Sequence, residues 1–153
     1  MDRIQKLLGE ILIEKGIINS EQLKVALEEQ RESKEFLGTI LIRKNQIKEE
    51  DLLQSLSEQF NVPFVRFKNK YLDWKLVKQF SSSLILDYGC FPVDKDDLTV
   101  TIAITNPLDM WALKKCEEEA RPLRLKLVLA TQSDIQEAIE RYKQYLRGNI
   151  SKI

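Results

Sequence analysis

The chain has 153 residues, 43% hydrophobic and 31% charged, which is the composition of one ordinary globular domain or two small ones packed together. Basic and acidic residues number 24 each, so the net charge is zero; with no basic tract this argues against long nucleic acid, where phosphate neutralisation supplies most of the affinity, but leaves room for a small dianionic nucleotide. Histidine is absent, as are a G-x-x-x-x-G-K-[ST] phosphate loop and a G-x-S-x-G elbow, so no catalytic residue and no metal ligand set is marked.

The first organised feature in chain order is a repeat. "LLGEILIEKGIINSEQLKVALEEQ" at Leu7–Gln30 returns as "FLGTILIRKNQIKEEDLLQSLSEQ" at Phe36–Gln59, a shift of 29 residues with no gap. The shift superposes Leu8 on Leu37, Gly9 on Gly38, Lys15 on Lys44, Leu23 on Leu52, Leu27 on Leu56 and Gln30 on Gln59. Two unrelated amphipathic helices would share apolar positions, but not readily the Gly, Lys and Gln as well. Each copy reads as helix, turn, helix. Gly16 stands where a left-handed helix stop is expected and Asn45, the next-best residue for that conformation, replaces it in the second copy. Asn19 followed by Gln22 forms a capping box. The expected helices cover residues 3–15, 20–32, 35–44 and 49–60.

"PFVRF" after this unit reads as an edge strand or an extended linker, since Pro63 ends helical potential. "WKLVKQF" and "SSSLILDY" are short helices. "GCFPVDKDDLTVTIAIT" is two strands around a turn at Lys95–Asp97. "NPLDMWALKKCEEEA" is a helix that Asn106 would cap, with Pro107 at its first position. "LRLKLVLA" is a third strand with one wet face, and "TQSDIQEAIERYKQYL" a helix capped by Thr131 or Ser133. The expected fold is α+β: a tandem-repeat helical unit of four helices over 1–60, a linker or edge strand over 61–72, a small α/β unit of about three strands and flanking helices over 73–146, and a frayed tail over 147–153. No apolar run approaches the roughly 18 residues that cross a bilayer, and "MDRIQKLLGE" lacks the pattern of a signal peptide.

The doubled motif, its five-residue spacer and the following α/β unit resemble the N-terminal domain of the secretion ATPases that drive type II secretion and type IV pilus assembly. The likeness rests on LG-x-x-L/I-L/I at Leu8–Leu12 and Leu37–Leu41, the closing Leu-x-x-Gln at Leu27–Gln30 and Leu56–Gln59, "VPF" at Val62–Phe64, "LTVTIAITNPLD" at Leu98–Asp109 and "LATQSDIQEAIERY" at Leu129–Tyr142. It implies a non-catalytic docking and regulatory domain, cytoplasmic and held at the inner membrane by partners: the platform protein of the machine and, where the native chain is longer, a following ATPase domain. No cofactor is required for that role.

A subset of the family binds cyclic di-GMP through the doubled motif. The resemblance transfers that role to Leu8, Gly9, Leu23, Leu27 and Gln30 in the first copy, to Leu37, Gly38, Leu52, Leu56 and Gln59 in the second, and to Asn106. Glycine admits a close approach of backbone and offers an amide near a helix start, and glutamine carries both a donor and an acceptor. Leu7 and Phe36 stand where binding members open their motifs with a basic residue, and Asn106 stands where they carry Asp.

Plainer readings accompany these. Gly9 and Gly38 also suit a close helix crossing, and Gln30 and Gln59 suit helix C-terminal caps. Trp74 and Trp111 are expected in the core or between the halves. The Glu117–Glu119 run is a solvated face, and Cys90 and Cys116 are reduced, buried small hydrophobes.

Overall fold

The computed structural model describes residues 3–67 and 71–151, with side chains over 8–67 and 71–148. The architecture is α+β, and the chain divides into two units, Met1–Asn61 and Val62–Ile153.

The first unit contains α1 (Arg3–Glu14), α2 (Ser20–Ser33), α3 (Leu37–Arg43) and α4 (Glu49–Phe60). Both hairpin turns close with the same bonds. Gly16 has φ 71°; its amide donates to Ile13 and that of Ile17 to Leu12. Asn45 has φ 58°; its amide donates to Ile42 and that of Gln46 to Leu41. These are the paired bonds of a Schellman stop, and they satisfy carbonyls the helix leaves open. Asn19 caps α2 reciprocally: its Oδ1 accepts from the Gln22 amide at 2.8 Å, and its own amide donates to Gln22 Oε1 at 2.8 Å. The equivalent residue before α4 is Lys48, which makes no side-chain cap; Glu49, Glu50 and Asp51 supply negative charge to that first turn instead. α1 packs on α4 and α2 on α3, so the repeat shift that turns α1 into α3 also turns α4's partner into α2's. The unit is thereby pseudo-two-fold. Leu8, Leu12, Ile18 and Ala26 are buried, as are their equivalents Leu37, Leu41, Ile47 and Ser55.

The second unit contains α5 (Trp74–Val77), α6 (Ser82–Leu86), β1 (Phe91–Lys95), β2 (Thr99–Ile104), α7 (Met110–Ala120), β3 (Arg124–Leu129) and α8 (Gln132–Ser151). β1 pairs antiparallel with β2, with a bulge between Pro92 and Asp94, and β2 pairs parallel with β3 across the α7 crossover. Asp96 shapes the β1–β2 turn by accepting from the Leu98 and Thr99 amides, both at 2.8 Å. Alternation sends Ala103 and Val128 to the face that packs with Phe91, Ile135, Ala138 and Tyr142. Val100, Ile102 and Ile104 lie on the other face, with α7 packed on β2 and β3. Before the sheet, Pro63–Val65 runs beside the end of β3: the Leu129 amide donates to Pro63 and the Val65 amide to Leu129, each at 2.8 Å, forming a single parallel bridge at Phe64.

Three details differ from the sequence reading. Asn106 does not cap α7; its Oδ1 accepts from the Leu108 amide at 2.9 Å, folding Pro107–Leu108 into a turn, and Asp109 takes the cap by accepting from Ala112 at 3.1 Å. An Asx turn at Asn106 uses the acceptor that capping would need. Trp111 is not a core residue: it is 74% exposed in the first turn of α7. Trp74 does pack inward, stacked on Tyr145 at 4.9 Å with the rings 6° apart. Finally, α8 continues through Arg147 and Gly148 to Ser151, where a tail was expected; Leu146 is half-buried against the core and carries the helix past Tyr145. Residues 68–70 of the linker, and 152–153 of the tail, lie outside the described residues.

Candidate functional site

The motif residues of the first unit fall into two classes. Leu8, Leu37 and Leu56 are 4%, 0% and 6% exposed, so they hold the helices together and present no surface. Leu23, Leu27, Leu52, Gln30 and Gln59 are half-buried and do present one.

The glycines have a local cause. A Cβ at Gly9 would lie 2.7 Å from Leu23 Cδ1, and a Cβ at Gly38 would lie 2.7 Å from Leu52 Cδ1. Real side chains do not approach that closely. Each glycine is the bare floor on which the leucine of its own hairpin partner rests, which permits a tight crossing of α1 with α2 and of α3 with α4. The close-crossing reading therefore accounts for both glycines as they stand. Their amides differ, however: Gly38 is the second residue of α3, while Gly9 is the seventh of α1 and lies within the helix. The expectation of two amides near helix starts holds only for Gly38.

Gln30 ends its motif by donating from Nε2 to the Glu35 carbonyl at 3.1 Å, which ties the end of α2 to the spacer. Ion pairs bracket the unit. Lys15 Nζ meets Glu58 Oε1 at 2.8 Å, and Arg43 Nη2 meets Glu29 Oε2 and Glu35 Oε1, both at 3.0 Å. Glu58 and Glu29 are repeat equivalents, so the acidic halves of these bridges are matched across the pseudo-two-fold. Helical periodicity marks all four helices but does not say which Lys faces which Glu, so these pairs were not legible from the sequence. Phe36 is 41% exposed at the entrance of α3, a large ring at the mouth of the second motif. The side chain of Leu7, its counterpart, lies outside the described residues, as do those of Arg3 and Lys6. Asn106 belongs to the second unit, where its side chain is engaged in the turn before α7.

Among the described residues no cluster of three or more His, Cys, Asp or Glu side chains could hold a metal ion, and no helix is long and apolar enough to cross a membrane.

Three comparisons with known proteins bear on this arrangement. The family model described as the MshEN domain matches residues 60–149. The type IV pilus assembly ATPase PilB of Myxococcus xanthus (strain DK1622) is 28% identical over 135 residues, covering 88% of this chain and 24% of its own length, so the chain spans about a quarter of that relative. Among solved structures, MshE with cyclic di-GMP is 24% identical with a TM-score of 0.79, over 88% of this chain and 97% of the other. The N-terminal domain of XpsE is 23% identical with a TM-score of 0.74, over 92% and 96%. Both structural likenesses extend across the helical repeat as well as the sheet, and at these identities they establish the fold.

Proposed function

The chain belongs to the MshEN domain family through residues 60–149, and we propose that the doubled helical repeat preceding them is a binding site for cyclic di-GMP. The observation that carries this reading is the duplicated geometry: Leu23 lies over Gly9 and Leu52 over Gly38, each Cδ1 2.7 Å from where a Cβ on the glycine would stand, and the two leucines present the same half-buried apolar surface twice about a pseudo-two-fold. A two-fold symmetric cyclic dinucleotide has two equivalent halves to meet them. The structural likeness to MshE with cyclic di-GMP supports the choice of ligand.

The residues suit the ligand in their apolar and amide chemistry. Leu23, Leu27 and Leu52 offer apolar contact for base and ribose faces, and Gln30 and Gln59 offer donors and acceptors. Leu8, Leu37 and Leu56 act behind this surface by fixing the helices. The charge pattern is altered: Leu7 and Phe36 occupy the positions where binding relatives open their motifs with a cation. Each lost charge-assisted phosphate contact costs about 1.5–3 kcal/mol. Phe36, exposed at the mouth, offers a stacking face in exchange.

The wider role in this reading is regulatory and non-catalytic, in the cytoplasm at the inner membrane. The ligand-bound repeat would set how an attached ATPase engages its platform protein. The exposed pair Met110 and Trp111, 69% and 74% exposed on the first turn of α7, favours a protein partner for the second unit.

Isothermal titration of the purified chain with cyclic di-GMP tests the ligand. A saturable heat at tens of micromolar is expected, and its absence defeats the reading. Pull-down with a platform-protein cytoplasmic domain tests the partner separately.

A further inference from the structure

α7 buries Ala112, Cys116 and Ala120 on one side. At about 100° per residue, the opposite side carries a single stripe: Met110, Trp111, Lys114, Glu117, Glu118 and, at the helix end, Arg121, all of them exposed. The stripe opens with two large apolar side chains, 69% and 74% exposed. A cation, two carboxylates and a second cation follow. Among the described residues none of Lys114, Glu117, Glu118 and Arg121 has an ion-pair partner, although Lys114 and Glu118 stand one helical turn apart. Lys115 and Glu119, on the flank of the same helix, do meet, at 3.3 Å.

The order of these residues is self-complementary. Turned end for end about Cys116, the stripe brings Lys114 onto Glu118 and Trp111 onto Arg121. The first pair lies two residues either side of that point and the second five, or about 3 and 7.5 Å along the axis. A second copy of α7 laid antiparallel on the first therefore meets a carboxylate wherever it brings Lys114 and a guanidinium wherever it brings the indole. Two-fold symmetry makes each contact twice. An arginine over a tryptophan ring is a favoured cation–π pairing, and it covers the apolar surface at both ends. A parallel arrangement would set Lys114 against Lys114 and Glu118 against Glu118, so the pattern also selects the direction. The zero net charge leaves no overall repulsion between copies.

We propose that the solvent face of α7 is a self-association surface, on which two copies of this chain pair antiparallel, with Lys114 on Glu118 and Trp111 on Arg121 of the second copy. This deepens the reading of Met110 and Trp111 as a partner surface by naming the partner, and it does not depend on the ligand. One helix face is a small contact, so the pairing is weak and transient, with a Kd on the order of 0.1 mM. Copies tethered side by side by a longer chain would meet at an effective concentration of about 1 mM, where such a contact is populated.

Sedimentation equilibrium of the full chain from about 10 μM to about 1 mM tests the pairing. The wild type is expected to show a monomer–dimer equilibrium that weakens as salt is raised. Lys114→Glu and Glu118→Lys each turn both ion pairs into like-charge contacts and are expected to weaken association by about tenfold or more, and Trp111→Ala by a comparable factor. Mixed in equal amounts, the two charge variants are expected to recover the wild-type association as a heterodimer, since every carboxylate again faces a lysine. All three side chains are exposed, so the substitutions leave the core intact. A wild-type chain that stays monomeric throughout overturns the proposal. So does a dimer indifferent to these substitutions, which would use another face. A monomeric chain that binds a platform-protein cytoplasmic domain, and loses it with Trp111→Ala, would give the stripe to that partner instead.

Discussion

Leu23 rests on Gly9 with its Cδ1 2.7 Å from where a Cβ would stand, and the relationship recurs 29 residues later between Leu52 and Gly38. A helix-interior glycine sacrifices about 1 kcal/mol relative to alanine, so alanine should stabilise α1 unless something blocks it. Leu23 is what blocks it. Gly9→Ala is expected to destabilise the chain by about 1 kcal/mol, because repacking a displaced side chain outweighs the propensity gain. In a Leu23→Ala background the same substitution is expected to stabilise by about 0.5–1 kcal/mol. Urea titrations of the four proteins of this cycle give the answer, and absence of the sign reversal would remove Leu23 as the cause.

Ser55 occupies the position that Ala26 holds in the first copy, and both are 0% exposed. Its Oγ has no hydrogen-bond partner among the described residues. Ser55→Ala is expected to raise stability by about 1–2 kcal/mol, since it removes an unsatisfied buried hydroxyl and improves helix propensity. A lower unfolding midpoint in denaturant would show that the hydroxyl is satisfied in solution.

The capping box of α2 offers a transplant. Lys48, equivalent to Asn19, leaves α4 without a side-chain cap. Lys48→Asn is expected to add about 0.5–1.5 kcal/mol, and Asn19→Ala to cost a similar amount. Thermal melts monitored by circular dichroism distinguish the two directions.

Asp134 accepts from Arg66 Nε at 2.9 Å and from the Phe67 amide at 3.0 Å; it locks the segment after Phe64 onto the start of α8. Burial pushes its pKa up, but the Arg66 hydrogen bond and charge and the Phe67 amide outweigh burial and hold the carboxyl below its ordinary value. A depressed folded pKa stabilises above the unfolded value near 3.9, and that stability is lost as pH falls through the folded pKa. Asp134→Asn is expected to cost about 1–3 kcal/mol at pH 7 and much less at low pH. Denaturant curves at both pH values decide it; an equal penalty at each would mean that the charge is irrelevant.

On the ligand reading, Gln30→Ala and Gln59→Ala are expected to weaken cyclic di-GMP binding, each by about five- to tenfold for a lost hydrogen bond. Calorimetry on both variants, with circular dichroism to confirm helicity, tests whether the two halves contribute alike. An unchanged affinity in both would place the ligand elsewhere.

The helical unit was legible because its signals are local. Gly16, Asn45, Asn19 and the 29-residue recurrence each act within one or two turns of chain. The strand alternation of Thr99–Ile104 was legible for the same reason. What escaped were choices between competitors. Asn106 and Asp109 are both good helix caps three residues apart, and only the folded turn decides that Asn106 binds Leu108 while Asp109 takes α7. Trp111 escaped because one tryptophan on an amphipathic helix carries no mark of which side it faces. In the candidate site, the motif shared by both copies did not separate the leucines that pack from those that show; Leu27 is half-buried while its equivalent Leu56 is only 6% exposed, a difference made by neighbours distant in sequence.

The bridge between Pro63–Val65 and Leu129 has a consequence for the order of assembly. Short turns join α1 to α2, α2 to α3 and α3 to α4, so their loop-closure cost is small, and the longer closure of α1 on α4 can be met as soon as Asn61 has been made. Phe64 meets its bridge partner, Leu129, only once β3 exists, more than sixty residues later. During synthesis the repeat is therefore expected to be folded while Phe64 and its neighbours still wait, with the closing of the sheet as the slow event and the helical hairpins as the early one.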